Sequence, residues 1–81
     1  MLTQVELNLR EESDKIARNI RVTKVSINIK KGYADFLRID GTEEEWSKKD
    51  YEVKLLEMKL KGLEAYMAVL QDIEHLIGSD D

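Results

Sequence analysis

Residues 22–40 read VTKVSINIKKGYADFLRID, and this stretch decides which fold the sequence predicts. Val25, Ile27 and Ile29 alternate with polar residues, and β-branched side chains dominate the first half of the stretch. Alternation with a period of two is typical of a half-buried strand. Gly32 tolerates φ > 0 at a turn, and an extended pattern resumes after it. The stretch therefore predicts an antiparallel β-hairpin over about residues 22–40.

The predicted hairpin has one basic face. Leu37 and Ile39 would share the buried face, so the intervening side chains would point outward. Basic side chains that follow phosphates beside an aromatic ring that stacks on a base are the general design of a nucleic-acid-binding β-ribbon. An ordinary solvated face is the alternative, because lysine on an exposed edge discourages aggregation. The possible nucleic-acid contacts are Lys24, Lys30, Lys31, Phe36 and Arg38.

A helix is predicted before the hairpin, over about residues 4–20. Thr3 and Glu6 have the spacing of a capping box, which marks a helix start. Apolar residues then recur on one face at helical spacing. The alternative is a strand at Val5–Leu9, where apolar and polar residues alternate.

A second, longer helix is predicted over about residues 43–77. Thr42 and Glu45 repeat the capping box, and nothing interrupts the pattern until Gly78. A helix of about 35 residues is roughly 52 Å long at 1.5 Å per residue. A compact globule of 81 residues has a radius of gyration of about 12 Å by the usual scaling, so much of this helix would project from such a globule.

The second helix carries two apolar stripes, so we expect it to have two packing partners. One follows an a/d heptad interrupted by Lys49 and Glu74, and the other runs from Leu55 to Leu76. The rest of the chain covers one stripe, and the same helix of a second subunit covers the other. The predicted dimer contacts are Val53, Leu56, Leu60, Leu63, Met67, Leu70 and Ile77.

These elements form one α+β domain, residues 1–81, with the order αββα. The 81 residues contain no cysteine and one histidine, which excludes disulfides and the common zinc sites built from one chain. A domain this small gains from a partner subunit. The net charge of −4 is uneven along the chain: residues 16–38 carry +5, and residues 39–81 carry −7.

The residues that carry enzyme chemistry are almost absent, so we predict no enzyme, no cofactor, no metal site and no catalytic residue. His75 is the only histidine, and no nucleophile can be assigned to it. No phosphate-binding glycine loop and no zinc-protease motif occurs. Small size, high charge and few catalytic residues are typical of accessory proteins of viruses and mobile elements.

The sequence thus predicts a non-catalytic homodimer that acts as adaptor, regulator or inhibitor by contacting an unidentified protein. The alternative is a nucleic-acid-binding dimer that uses the basic hairpin. No stretch has the length and apolarity of a signal peptide or a membrane span, so we expect a cytoplasmic protein with no membrane contact.

Overall fold

Two long helices account for the fold. The computed structural model describes residues 3–78. Helix α1 spans Gln4–Asp40 and helix α2 spans Glu43–Gly78. The two helices pack side by side as an antiparallel helical hairpin. The molecule measures 60 × 17 × 13 Å, with a radius of gyration of 18.1 Å.

The predicted αββα fold is wrong, because residues 3–78 contain no strand. The helix expected at residues 4–20 continues without a break to Asp40, through all of the stretch interpreted as a β-hairpin. The radius of gyration exceeds the value of about 12 Å expected of a compact globule of this length, since a hairpin of two long helices is a rod.

The helical spacing of the first helix continues into residues 22–40, which explains the difference. Buried or half-buried residues recur three and four apart along α1, the pattern of one helix face: Ile16, Ile20, Thr23, Ile27, Lys30, Ala34 and Leu37. β-branched residues cost a helix at most about 0.7 kcal/mol each relative to alanine, so packing along a full-length partner outweighs their strand preference.

Gly32 lies inside α1 and makes no turn. No glycine of the described chain has a positive φ, so the backbone freedom expected of this residue is not used. The local alternation of Val25, Ile27 and Ile29 therefore places these side chains on different sides of a helix, instead of on one face of a strand. Ile27 is buried, whereas Val25 and Ile29 are exposed.

The connection between the helices is short and tightly packed. The Gly41 N–H donates to the carbonyl oxygen of Leu37 at 2.6 Å. The predicted capping box of α2 is confirmed: the Glu45 N–H donates to Thr42 Oγ1 at 3.3 Å, and the Thr42 N–H donates to Glu45 Oε1 at 3.3 Å. The predicted cap of α1 is also confirmed, since the Glu6 N–H donates to Thr3 Oγ1 at 3.2 Å.

The core is a narrow seam between the two helices. Its buried residues are Ile16, Thr23, Ile27, Ala34 and Leu37 of α1 with Val53 and Leu70 of α2. Polar seam positions pair across the helices: the Ser13 hydroxyl donates to Glu74 at 2.7 Å, and Lys30 Nζ donates to Glu52 at 3.0 Å. These pairs add contacts between the helices at two separate levels of the seam.

Candidate interaction surfaces

The predicted dimer contacts of α2 lie on the face that packs against α1. Val53 and Leu70 are each 5% exposed, and the other five are half-buried: Leu56, Leu60, Leu63, Met67 and Ile77. Helix α1 has 37 residues and α2 has 36, so α1 runs along the whole of α2. The length of α2 therefore does not require a second subunit to cover it.

A second apolar stripe runs along α1 on the side away from α2. Its members are three and four residues apart, the spacing of a coiled-coil seam. The five apolar side chains are 56% to 88% exposed. We name it the α1 outer stripe: Val22, Val25, Ile29, Gly32, Phe36 and Ile39.

Helix α2 carries an equivalent stripe on its own far side. These residues are also spaced four and three apart and are all exposed. Asp72 interrupts the stripe at its C-terminal end. We name it the α2 outer stripe: Tyr51, Leu55, Met58, Gly62, Ala65 and Val69. Each helix thus has two apolar faces, one in the hairpin and one in contact with solvent.

The two outer stripes differ in the charges around them. The α1 outer stripe has Arg18 and Arg21 at one end and Asp40, Glu43 and Glu44 at the other. All five are exposed, and none is in an ion pair within residues 3–78. The α1 outer stripe is therefore basic at one end and acidic at the other.

Lysines border the α2 outer stripe on both sides. Lys54, Lys59 and Lys61 are exposed, and Lys48 precedes the stripe on the same face. Two copies of this surface would bring like charges together, which opposes association.

Each outer stripe contains a shallow open groove. The groove on α1 is lined by Arg18, Arg21, Val22, Val25 and Ser26. Arg18, Arg21, Val22 and Val25 have the spacing i, i+3, i+4 and i+7. In a coiled coil, four residues with this spacing form the hole that receives one side chain of the facing helix. The four residues that line the groove on α2 have the same spacing, but three of them are charged. They are Lys54, Glu57, Met58 and Lys61.

The residues predicted to contact nucleic acid do not share one face. Lys30 lies at the seam and pairs with Glu52, whereas Phe36 belongs to the α1 outer stripe. Lys24, Lys31 and Arg38 are seven residues apart and follow one edge of the seam. The β-ribbon that would align all five is absent from the described part of the chain.

The edge that carries these three basic residues faces an acidic edge of α2. Arg38 pairs with Asp50 across the helices at 2.5 Å, and with Asp35 of its own helix at 2.8 Å. Seven-residue steps from Asp50 place Glu57 and Glu64 along the same edge of α2. The basic middle and acidic C-terminal part of the chain therefore match the two sides of one helix pair.

Glu52 is the acceptor at the centre of a small ion-pair cluster. Lys30 and Lys49 donate to its carboxylate at 3.0 Å and 3.2 Å, and these hydrogen bonds lower the pKa of Glu52 below its usual value. Lys49 also lies 5.3 Å from the centre of the Tyr33 ring, and Arg38 lies 5.4 Å from that of Trp46. Lys30, Lys49 and Arg38 thus all make contacts within the chain.

The α1 outer stripe was missed by the sequence analysis, although a signal for it was present. Val22, Val25 and Ile29 are three and four apart, and the same spacing continues through Phe36 and Ile39. Period-two alternation over a few residues hid this longer heptad pattern. The apolar stripe from Leu55 to Leu76 that the sequence shows on α2 contains most of the α2 outer stripe.

Among residues 3–78, no three His, Cys, Asp or Glu side chains lie close enough together to hold a metal ion. Neither helix has an apolar stretch of the length and hydropathy required to cross a bilayer, judged over the same residues.

Comparison of the chain with protein-family models, with curated proteins and with solved structures gave no significant match.

Proposed function

We propose that this protein is a non-catalytic interaction protein that works as a homodimer and acts as adaptor, regulator or inhibitor through protein–protein contacts. The observation that carries the proposal is the pair of exposed apolar stripes on opposite sides of the hairpin. Monomeric proteins seldom expose large contiguous apolar patches, and such patches mark surfaces that bind a partner.

The positions of the two stripes favour specific packing against a helix over non-specific hydrophobic association. Both keep coiled-coil spacing over about five turns or more, which places their side chains in register for a facing helix. The edges of the seam carry mostly charged and polar residues. A partner is therefore expected on the outer faces and not across the seam.

A non-catalytic role is consistent with the chemistry of the exposed side chains. The charged groups with assigned contacts pair with one another, as in the cluster around Glu52. The exposed surface offers apolar helix faces bordered by charge, which is the composition of a docking surface for another helix.

Sedimentation equilibrium across the micromolar range tests the proposal. The chain has a mass of 9.4 kDa, and we expect twice that value at the upper concentrations, with dissociation on dilution. A mass that stays at 9.4 kDa throughout would contradict the homodimer.

A further inference from the structure

We propose that the homodimer forms through the α1 outer stripe, with the α1 helices of the two copies antiparallel. Ile39 of each copy inserts into the groove between Arg18, Arg21, Val22 and Val25 of the other. This inference rests on the proposed function and specifies which surface of the chain performs it.

A protruding side chain and its matching hole lie on the same surface. Ile39 is 88% exposed at one end of the stripe, and the groove lies at the other end. In a coiled coil, each side chain of one helix enters a hole made by four residues of the facing helix. Antiparallel pairing about the midpoint of residues 22–39 places both Ile39 side chains in such holes at once.

The sizes of the remaining side chains complement each other in the same register. Phe36 faces Val25 of the second copy, and Ile29 faces Gly32 of the second copy, so each larger residue meets a smaller one. A parallel pair would instead place Phe36 against Phe36 and Gly32 against Gly32. That arrangement combines crowding with a void, both of which oppose close packing.

Gly32 supports a close approach at this position. A glycine within a helix is destabilising relative to alanine, and a Cβ added to Gly32 would meet nothing within 4 Å. The hairpin alone therefore gives no reason for a glycine here, and a helix packed across the stripe would make use of it. Gly62 of the α2 outer stripe is equally open, so the choice between the two stripes rests on charge and on the groove.

The charges at the ends of the stripe favour the antiparallel direction. It places Arg18 of one copy beside Asp40 and the acidic start of α2 in the other, whereas parallel pairing would bring like ends together. An antiparallel pair of identical surfaces is also closed, because the two copies use up each other's stripes.

The α2 outer stripe is less suited to self-association. Its lysine borders would face each other in a pair of α2 helices, and its groove has three charged walls. This stripe remains exposed in the proposed dimer, where a different partner has access to it.

Two matched substitutions in the full chain test the choice of surface. Ile29 is 66% exposed and Met58 is 69% exposed, so neither Ile29→Glu nor Met58→Glu changes the seam. We expect Ile29→Glu to raise the dissociation constant of the dimer by about 100-fold or more, because a charge enters an apolar contact. Met58→Glu should leave the dissociation constant within about threefold of the original value. Circular dichroism of each variant checks that its helices are kept.

A charge exchange tests the direction. Arg18→Glu and Asp40→Arg should each weaken dimerisation by about tenfold, and the double variant should recover the original dissociation constant to within about threefold. Only an antiparallel pair brings these two positions of different copies together.

The outcomes separate this inference from the proposed function. If the Ile29→Glu variant still dimerises, the α1 outer stripe is not the dimer interface, whether or not Met58→Glu abolishes the dimer. The proposal of a homodimer would still stand in that case. Failure of the double variant to recover overturns the antiparallel direction. Growth beyond two copies overturns a closed pair, and a mass of 9.4 kDa at every concentration overturns both proposals.

Discussion

Gly41 occupies a position at which the chain has room for no side chain. An ideal Cβ at Gly41 would lie 2.8 Å from both the carbonyl oxygen and Cδ2 of Leu37. Real Cβ atoms do not approach so closely, so the turn or the buried Leu37 would have to move. The φ of −110° is open to any residue, which leaves the close approach as the reason for glycine.

We predict that Gly41→Ala destabilises the hairpin by about 1–3 kcal/mol, the usual cost of forcing an added group into a packed site. Chemical denaturation measures the change in the free energy of unfolding. Gly62→Ala is the matched control, because its Cβ would meet nothing within 4 Å. It should stabilise the helix by about 0.5–1 kcal/mol, and equal effects of the two substitutions would contradict the turn geometry.

Paired polar residues within the seam add to the short connection in keeping the two helices in one alignment. A heptad stripe alone allows slippage by whole heptads, since each shift again meets apolar side chains. The hydrogen bond from Ser13 to Glu74 and the pairing of Lys30 with Glu52 would be lost in a shifted arrangement. Arg38 and Asp50 add a third point of alignment near the turn.

At the scale of the element, the central question is whether residues 22–40 are a helix or two strands. The two structures differ in which side chains share an environment. On a strand Ile27 and Ile29 point to the same face, whereas on α1 they are 6% and 66% exposed.

We predict that Ile27→Ala costs about 2–5 kcal/mol and that Ile29→Ala changes the stability of the monomeric hairpin by no more than about 0.5 kcal/mol. Both are measured by denaturant unfolding at a protein concentration below that of association. Each substitution is the control for the other, because both replace isoleucine by alanine and the two positions are only two residues apart. Equal losses at the two positions would indicate a strand.

At the scale of the whole molecule, the hairpin is a rod of 60 Å, and the proposed dimer joins two rods near their turns. The midpoint of the α1 outer stripe lies between residues 30 and 31, close to the turn end of α1. Antiparallel pairing there leaves the free ends of the two hairpins pointing in opposite directions. The dimer is therefore longer than its subunit.

We predict a maximum dimension of about 80 Å for the dimer, counting some 26 residues at 1.5 Å from the midpoint to each free end. Small-angle X-ray scattering measures this length and the radius of gyration. Dilution, or the variant Ile29→Glu, should return the subunit values of 60 Å and 18.1 Å. A dimer only about 60 Å long would mean full side-by-side overlap, which the proposed register does not allow.

Features that depend only on neighbouring residues follow from the sequence alone. The cap of α1, the capping box that starts α2, and the heptad along α2 are local patterns, and the structure contains them. The end of α1 at Asp40 is not among them, because the sequence predicts that helix only to about residue 20. Which residues contact which could not be derived in the same way. Dimerisation and the seven α2 residues assigned to it stay predictions, because the structure is of one chain.

Packing between the two helices is what makes residues 22–40 helical and places α1 along α2. A short run such as Val25, Ile27 and Ile29 fits period two locally and period 3.6 when its neighbours are included. Burial along a second helix of equal length selects the helical alternative, since most helix stability in proteins comes from packing and not from propensity. The same packing places the basic edge of α1 against the acidic edge of α2, as in the pairing of Arg38 with Asp50. It also leaves one apolar stripe of each helix exposed to solvent.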